Sequence, residues 1–167
     1  MGLNNASIGG SKKYHQSLYR PVNISKYIGD PSKIICRSSW EAKFCHYCDN
    51  NPLIMRWGSE VIEIPYKDAM GKPHRYYPDF YIEVNRPDLP QLMERAVIEV
   101  KPAAETTPPD IPVNANFKQL KRIEYQMTMW QKNFHKWAFA VQWCQQRDYK
   151  FVIVTEHDLK KFATMLR

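Results

Sequence analysis

The sequence predicts an α/β fold with helices flanking a central mixed β-sheet, in the order α-β-β-β-α-β-α. Three observations carry this expectation. A capped helical stretch precedes a series of strand-like segments with alternating polarity. A long helical pattern over 117–146 separates that series from one more strand, and a helix crossing between two strands makes them parallel. An amphipathic stretch closes the chain. With 167 residues, one domain is expected, large enough to bury a core without disulfides or metals.

The first helix is "SSWEAKFCHYCDN". Ser38 is a good N-cap, and Asn50, Asn51 and Pro52 end the run. Trp40, Phe44, Tyr47 and Cys48 form its apolar stripe. "IMRWGSEVIEIPY" reads as one or two strands with a kink at Gly58, and "DAMGKPH" as a turn. "RYYPDFYIEV" and "ERAVIEVKP" are strands joined by the Pro-rich turn "NRPDLPQL", so that an antiparallel meander is expected. "AAETTPPDIPVNAN" is a loop, because Pro108 and Pro109 forbid regular structure. From Phe117, the residues Leu120, Ile123, Met127, Trp130, Phe134, Trp137, Val141 and Cys144 recur in steps of three and four. Such a seam could pair in a coiled coil, but its large rings suit the surface of a sheet better. "YKFVIVT" reads as a strand buried on both faces. The last helix has Thr155 as cap and Leu159, Phe162, Ala163 and Leu166 facing inward.

Residues 1–33 read as a basic N-terminal arm ahead of a single domain over 34–167. The arm has five cations (Lys12, Lys13, Arg20, Lys26, Lys33) against Asp30, with tyrosines interleaved. It would lie along a phosphate backbone, pack on a partner, or remain a solvated tail. The net charge is +7 and the isoelectric point about 9.2. A surplus of this size favours an acidic partner, most commonly nucleic acid. Lys12, Lys13, Arg20, Lys118, Lys121 and Arg122 are the candidate DNA contacts. No apolar run approaches the roughly 20 residues that span a bilayer, and the opening stretch "MGLNNASIGGSKKYHQ" lacks the apolar run of a signal peptide. No membrane partner is therefore expected, and the cytoplasm is the expected location. Cys45 and Cys48 form a C-x-x-C pair without the second pair that a zinc site normally needs; buried thiols are expected.

The segments "YYPDF" and "IEVKP" carry the candidate chemistry. Side chains alternate faces along a strand. Ala96, Ile98 and Val100 point into a core, while Glu99 and Lys101 share the opposite face. Phe80, Ile82 and Val84 likewise face one side, and Asp79 the other. If the two strands are neighbours in register, Asp79, Glu99 and Lys101 converge. Two carboxylates about 4 Å apart repel by roughly 4 kcal/mol at an effective dielectric near 20. A proton or a divalent cation relieves this. Mg²⁺, with Mn²⁺ as an alternative, suits one or two carboxylates plus waters and a substrate phosphate. The Val100 carbonyl could add a ligand, and Lys101 could hold the attacking water or neutralise developing charge. Glu41 is the third acid, at the margin of the first helix's stripe. It could complete the metal site, or close a capping box with Ser38. Charged strand ends are also common as solvated edges.

With these residues in view, "RSSWE", "YYPDF" and "IEVKP" resemble the PD-(D/E)xK nuclease superfamily, in the variant whose first acid stands on an N-terminal helix. TnsA-type transposon endonucleases share that layout. A longer series is similar to the head completion nucleases of T-even-type tailed phages: "LYRPVNISKYIGDP", "IICRSSWEAKF", "NPLIMRWGSEVIEIPY", "HRYYPDFYIEV", "IEVKP" and "YKFVIVTE", over residues 18–156. The resemblance implies a restriction-endonuclease-like core. It implies Glu41, Asp79, Glu99 and Lys101 as the active site; together with the Val100 carbonyl, Glu41, Asp79 and Glu99 are the candidate metal ligands. It further implies action on DNA during head maturation, after packaging and before tail joining, in the host cytoplasm or on the virion. The rival expectation is a non-catalytic head-closure protein docked on a portal or connector.

Overall fold

The computed structural model of the chain describes residues 16–86, 88 and 92–165, with side chains from 162 onward outside that description. In chain order the elements are β1 (Ser17–Tyr19), β2 (Ile34–Cys36), α1 (Ser39–Asn50), β3 (Ile54–Ser59), β4 (Ile64–Lys67), β5 (Pro73–Tyr76), β6 (Phe80–Asn85), β7 (Met93–Val100), α2 (Phe117–Gln145), β8 (Lys150–Val154) and α3 (Glu156–Met165). The central sheet runs β3-β6-β7-β8. β3, β6 and β7 pair antiparallel, and β8 pairs parallel to β7 after the α2 crossover. This is the expected mixed α/β sheet flanked by helices, in keeping with a restriction-endonuclease-like core.

Strand alternation divides the core into two layers. Phe80, Ile82, Ala96, Ile98 and Val100 pack with Phe44, Cys45 and Cys48 of α1 and with Leu159 of α3. Tyr81 and Val97, on the other face, pack with Trp137, Ala140 and Cys144 of α2. All four cysteines are free and buried, with Cys36 Sγ 3.6 Å from Cys45 Sγ.

Several expectations change. The kink placed at Gly58 lies instead at Glu60, whose φ is 53°. Gly58 stays inside β3, where the close approach of Val61 and Ile28 requires glycine: a Cβ would stand 2.7 Å from a Val61 methyl and 3.1 Å from the Ile28 carbonyl oxygen. The strand expected over 75–84 is broken at Tyr77–Asp79. Its first part belongs to a separate β4–β5 hairpin. Pro78, buried and without an amide donor, sits at the break. β8 is the edge of its sheet rather than doubly buried, and Val152 is 39% exposed.

The α2 seam packs on the sheet only over its second half. There Trp137 and Cys144 are buried, though Phe134 and Val141 stay exposed; in the first half Leu120 is exposed and Ile123 is buried beside the Pro-rich loop. Length explains this. A helix of 29 residues runs about 43 Å at 1.5 Å per residue. The eight residues of β7 span only about 26 Å. The overhanging N-terminal half is covered instead by the loop after β7, where the Trp130 indole donates to the Thr106 carbonyl at 3.5 Å.

The segment over 17–33 is docked rather than a solvated tail, and the expected boundary at 33/34 does not separate it from the fold. β1 pairs with β2 across that boundary. Tyr19 and Tyr27 pack edge-on to the buried Trp57. Asp49, fully buried at the end of α1, accepts the amides of Val22 and Asn23 at 2.7 and 3.0 Å and the Tyr19 hydroxyl at 3.2 Å. Lys12, Lys13 and Leu166 lie outside the described residues, as do the side chains at the inward positions Phe162 and Ala163.

Candidate active site

The register of β6 and β7 builds the site. Phe80 stands opposite Ile98, so one step further places Asp79 opposite Glu99, on the face of Tyr81 and Val97. Asp79 lies just before the start of β6, where its Oδ2 accepts the Val100 amide at 2.7 Å. Glu99 is 3% exposed. Its Oε2 accepts the Tyr76 hydroxyl at 2.6 Å, and its Oε1 lies 3.3 Å from Lys101 Nζ. The β4–β5 hairpin thus contributes Tyr76 as the residue that orients the glutamate.

Electrostatics follow from burial and closeness. Burial first, and the Glu99 carboxylate second, push the Asp79 carboxyl from 3.8 up to about 7, against the Val100 amide, which favours the ionised form. For Lys101, burial favours the neutral amine, but Glu99 and Asp79 outweigh it and hold the ammonium above its ordinary value. Lys101 is therefore a hydrogen-bond donor and a fixed positive charge at neutral pH, not a base.

Glu41 is held by the start of α1. Its Oε1 accepts the Ser38 hydroxyl at 2.8 Å and its Oε2 accepts the Arg37 amide at 2.8 Å, while Ser38 Oγ accepts the Glu41 amide at 3.1 Å. The reciprocal cap therefore forms, with the Arg37 amide in place of the expected Ser38 amide. Glu41 still contributes to raising the Asp79 carboxyl, so its charge is felt at the site. Among the described residues, no three His, Cys, Asp or Glu side chains are grouped to hold a metal ion.

Sequence reasoning missed Lys136. It lies on α2 one residue before the buried Trp137, with Nζ 5.2 Å from the centre of the Tyr76 ring. Burial pulls its ammonium below the ordinary value, Lys101 adds to this, and Glu99 and Asp79 offset only part. No ion pair satisfies it among the described residues. Nothing local marks it in the sequence, since the α2 crossover brings it to the acids.

The expected DNA cations are dispersed. Arg20 is exposed beyond β1, and Lys118, Lys121 and Arg122 lie on the exposed first turns of α2. Lys121 covers the Phe117 ring at 4.7 Å. Arg122 faces the Pro-rich loop.

The description "TnsA-like endonuclease N terminal" belongs to a family model that matches residues 51–156. The head completion nuclease of Enterobacteria phage T4 is 40% identical over 141 residues, covering 84% of this chain and 90% of that protein. The chain belongs to the head completion nuclease family. No solved structure matches it. In this head completion nuclease family member, the TnsA-like match takes in Asp79, Glu99, Lys101 and Lys136 and begins after Glu41.

Proposed function

We propose that this chain is a divalent-metal-dependent DNA nuclease acting in phage head completion, on packaged DNA before heads and tails join. One observation carries the chemistry: two facing acids, Asp79 and Glu99, meet two lysines, Lys101 and Lys136, at one end of the sheet. The nuclease relative and the TnsA-like match support the reaction class.

The donor set fits Mg²⁺, or Mn²⁺. Two hard carboxylates, one of them raised first by burial and then by the charge of the other, gain from a cation between them. Mg²⁺ typically takes one or two carboxylates and leaves its other positions to water and phosphate. Asp79 and Glu99 would hold it, with the Val100 carbonyl and Glu41 as further candidates. Once bound, the ion would supply charge to polarise the phosphate and acidify a water.

The protein's own groups do the rest. Tyr76 fixes one Glu99 oxygen, and the Val100 amide fixes one Asp79 oxygen, so the acids are oriented before substrate arrives. Lys101 donates to the attacking water or to the charge that develops on the phosphate oxygens. Lys136, without an ion pair among the described residues, offers a second positive charge to the incoming phosphate.

Cleavage of linear and plasmid DNA, with Mg²⁺ and with chelator, tests the reading. Asp79→Ala and Glu99→Ala should lose at least about 100-fold in rate, in line with removal of electrostatic catalytic groups. Equal digestion by these variants and wild type would refute the assignment. A cleavage-dead variant that still yields joined, infectious particles would favour the head-closure role docked on a portal or connector.

A further inference from the structure

Next to Lys101, a cleft of about 630 Å³ opens between α2 and the Pro-rich loop after β7. Beyond Lys101, its α2 wall carries Tyr125, Gln126, Trp130 and Asn133. A second cleft of about 300 Å³ shares Ala104, Thr107, Pro109 and Gln126 with the first and ends at Arg122. The two form one track from the catalytic lysine to a cation.

We propose that this track binds an unpaired DNA strand leading into or out of the active site, so that single-stranded ends or tails are preferred substrates. The inference rests on the nuclease reading above and names the form of DNA it takes. Three features of the track point to bases rather than a duplex.

The first is size. From Asn133 to Arg122 the α2 backbone advances about 16 Å at 1.5 Å per residue. That accommodates at most about five stacked nucleotides at 3.4 Å each. The volume lies in the range of small-ligand pockets, about 300–1,000 Å³, too little for a double helix.

The second is chemistry. Tyr125 is 67% exposed, with neither a ring partner nor a hydrogen bond among the described residues. Bases without a pairing partner stack on such rings irrespective of sequence. Trp130 is held in place by stacking on Phe134 at 5.3 Å and by its bond to Thr106. Gln126 and Asn133 carry amides that can donate to and accept from base edges.

The third is charge. Lys101 at one end and Arg122 at the other suit a phosphate backbone that enters and leaves, while the loop wall also carries the acids Glu105 and Asp110, which repel phosphates and leave the stretch between the cations to bases. Lys121, by contrast, stands on another side of α2, in a groove with Ile111 and Leu120, and has no place in the track.

The test uses the full-length Asp79→Asn protein, so that binding is read without cleavage. The probes are a ten-nucleotide single strand carrying 2-aminopurine, a blunt duplex of the same length, and that duplex with a five-nucleotide tail. The inference expects the single strand and the tailed duplex to bind at least about fivefold more tightly than the blunt duplex, and 2-aminopurine fluorescence to be quenched on binding. Tyr125→Ala in that background should lose about fivefold or more in single-strand affinity and most of the quench, since one base–ring stack is worth about that much. Tyr125→Phe should retain both. Arg122→Ala should lower the salt dependence of single-strand binding by about one unit of slope. If wild type cleaves DNA in Mg²⁺ but the three probes bind equally and Tyr125→Ala changes neither affinity nor quench, the track is refuted and the nuclease reading stands. If wild type neither cleaves nor binds any DNA, both fall together.

Discussion

Asp79→Asn should stabilise the metal-free protein above neutral pH while abolishing cleavage. The Asp79 carboxyl titrates at about 7 in the folded protein, against an ordinary value of 3.8. Between those values the folded state binds the proton more tightly than the unfolded chain, so stability falls as pH rises through the window. Complete ionisation removes about 4 kcal/mol, at 1.36 kcal/mol for each pH unit separating the two values. Asn keeps the carbonyl that accepts the Val100 amide and carries no charge to repel Glu99. The urea-unfolding free energies of wild type and Asp79→Asn, measured in chelator from pH 4 to 8.5, should therefore coincide near pH 4. They should separate with rising pH, the variant gaining about 2–4 kcal/mol by pH 8. Surface carboxylates such as Asp30 and Asp158, whose values are lowered by their hydrogen bonds, act in the opposite sense and cancel in the difference. Millimolar Mg²⁺ should restore wild type and leave the variant unmoved, because binding to the folded state alone stabilises it. A difference that does not change with pH, or a wild type more stable than the variant at pH 8 in chelator, would sink the argument that burial and the Glu99 charge hold the Asp79 carboxyl raised.

Lys136→Met should lower cleavage by at least about tenfold while leaving the thermal midpoint unchanged or raised, because a half-buried cation without an ion pair costs stability until a phosphate compensates it; a lowered midpoint with normal cleavage would make it a structural residue. Ser38→Ala should cost about 1 kcal/mol as a lost N-cap and keep cleavage within a few-fold, whereas Glu41→Gln, which can still accept a bond from the Arg37 amide, should reduce cleavage further if its charge serves the site; parallel unfolding and cleavage assays separate the two roles. Asp49→Ala should destabilise by about 3 kcal/mol or more, since it leaves the Val22 and Asn23 amides unpaired. Urea unfolding reads the loss, and increased proteolysis ahead of Ile34 should accompany it.

What could be read without a structure was whatever depends on local period. Alternation along a strand puts Glu99 and Lys101 on one face and Ile98 and Val100 on the other, whatever the strand pairs with. Asp79 follows because it alternates with Phe80 and Ile82 and so takes the opposite face. The helix cap at Ser38 and the parallel crossover are local in the same sense. Other features arise only when distant segments meet. Lys136 reaches the acids because the burial of Trp137 and Ala140 against the sheet fixes the rotation of α2. Tyr76 reaches Glu99 because the chain breaks at Pro78 and folds its hairpin over the site. The segment over 17–33 shows no hydrophobic period, as hydrogen bonds to Asp49 and the edge of Trp57 hold it. The overhang of α2, and with it the track beside Lys101, comes from a helix longer than the sheet it packs on. The sequence by itself determined which residues share a face, since side-chain direction is a property of the local backbone. Only the tertiary structure decided which faces meet and which charges are buried together, since those depend on packing between segments remote in the chain.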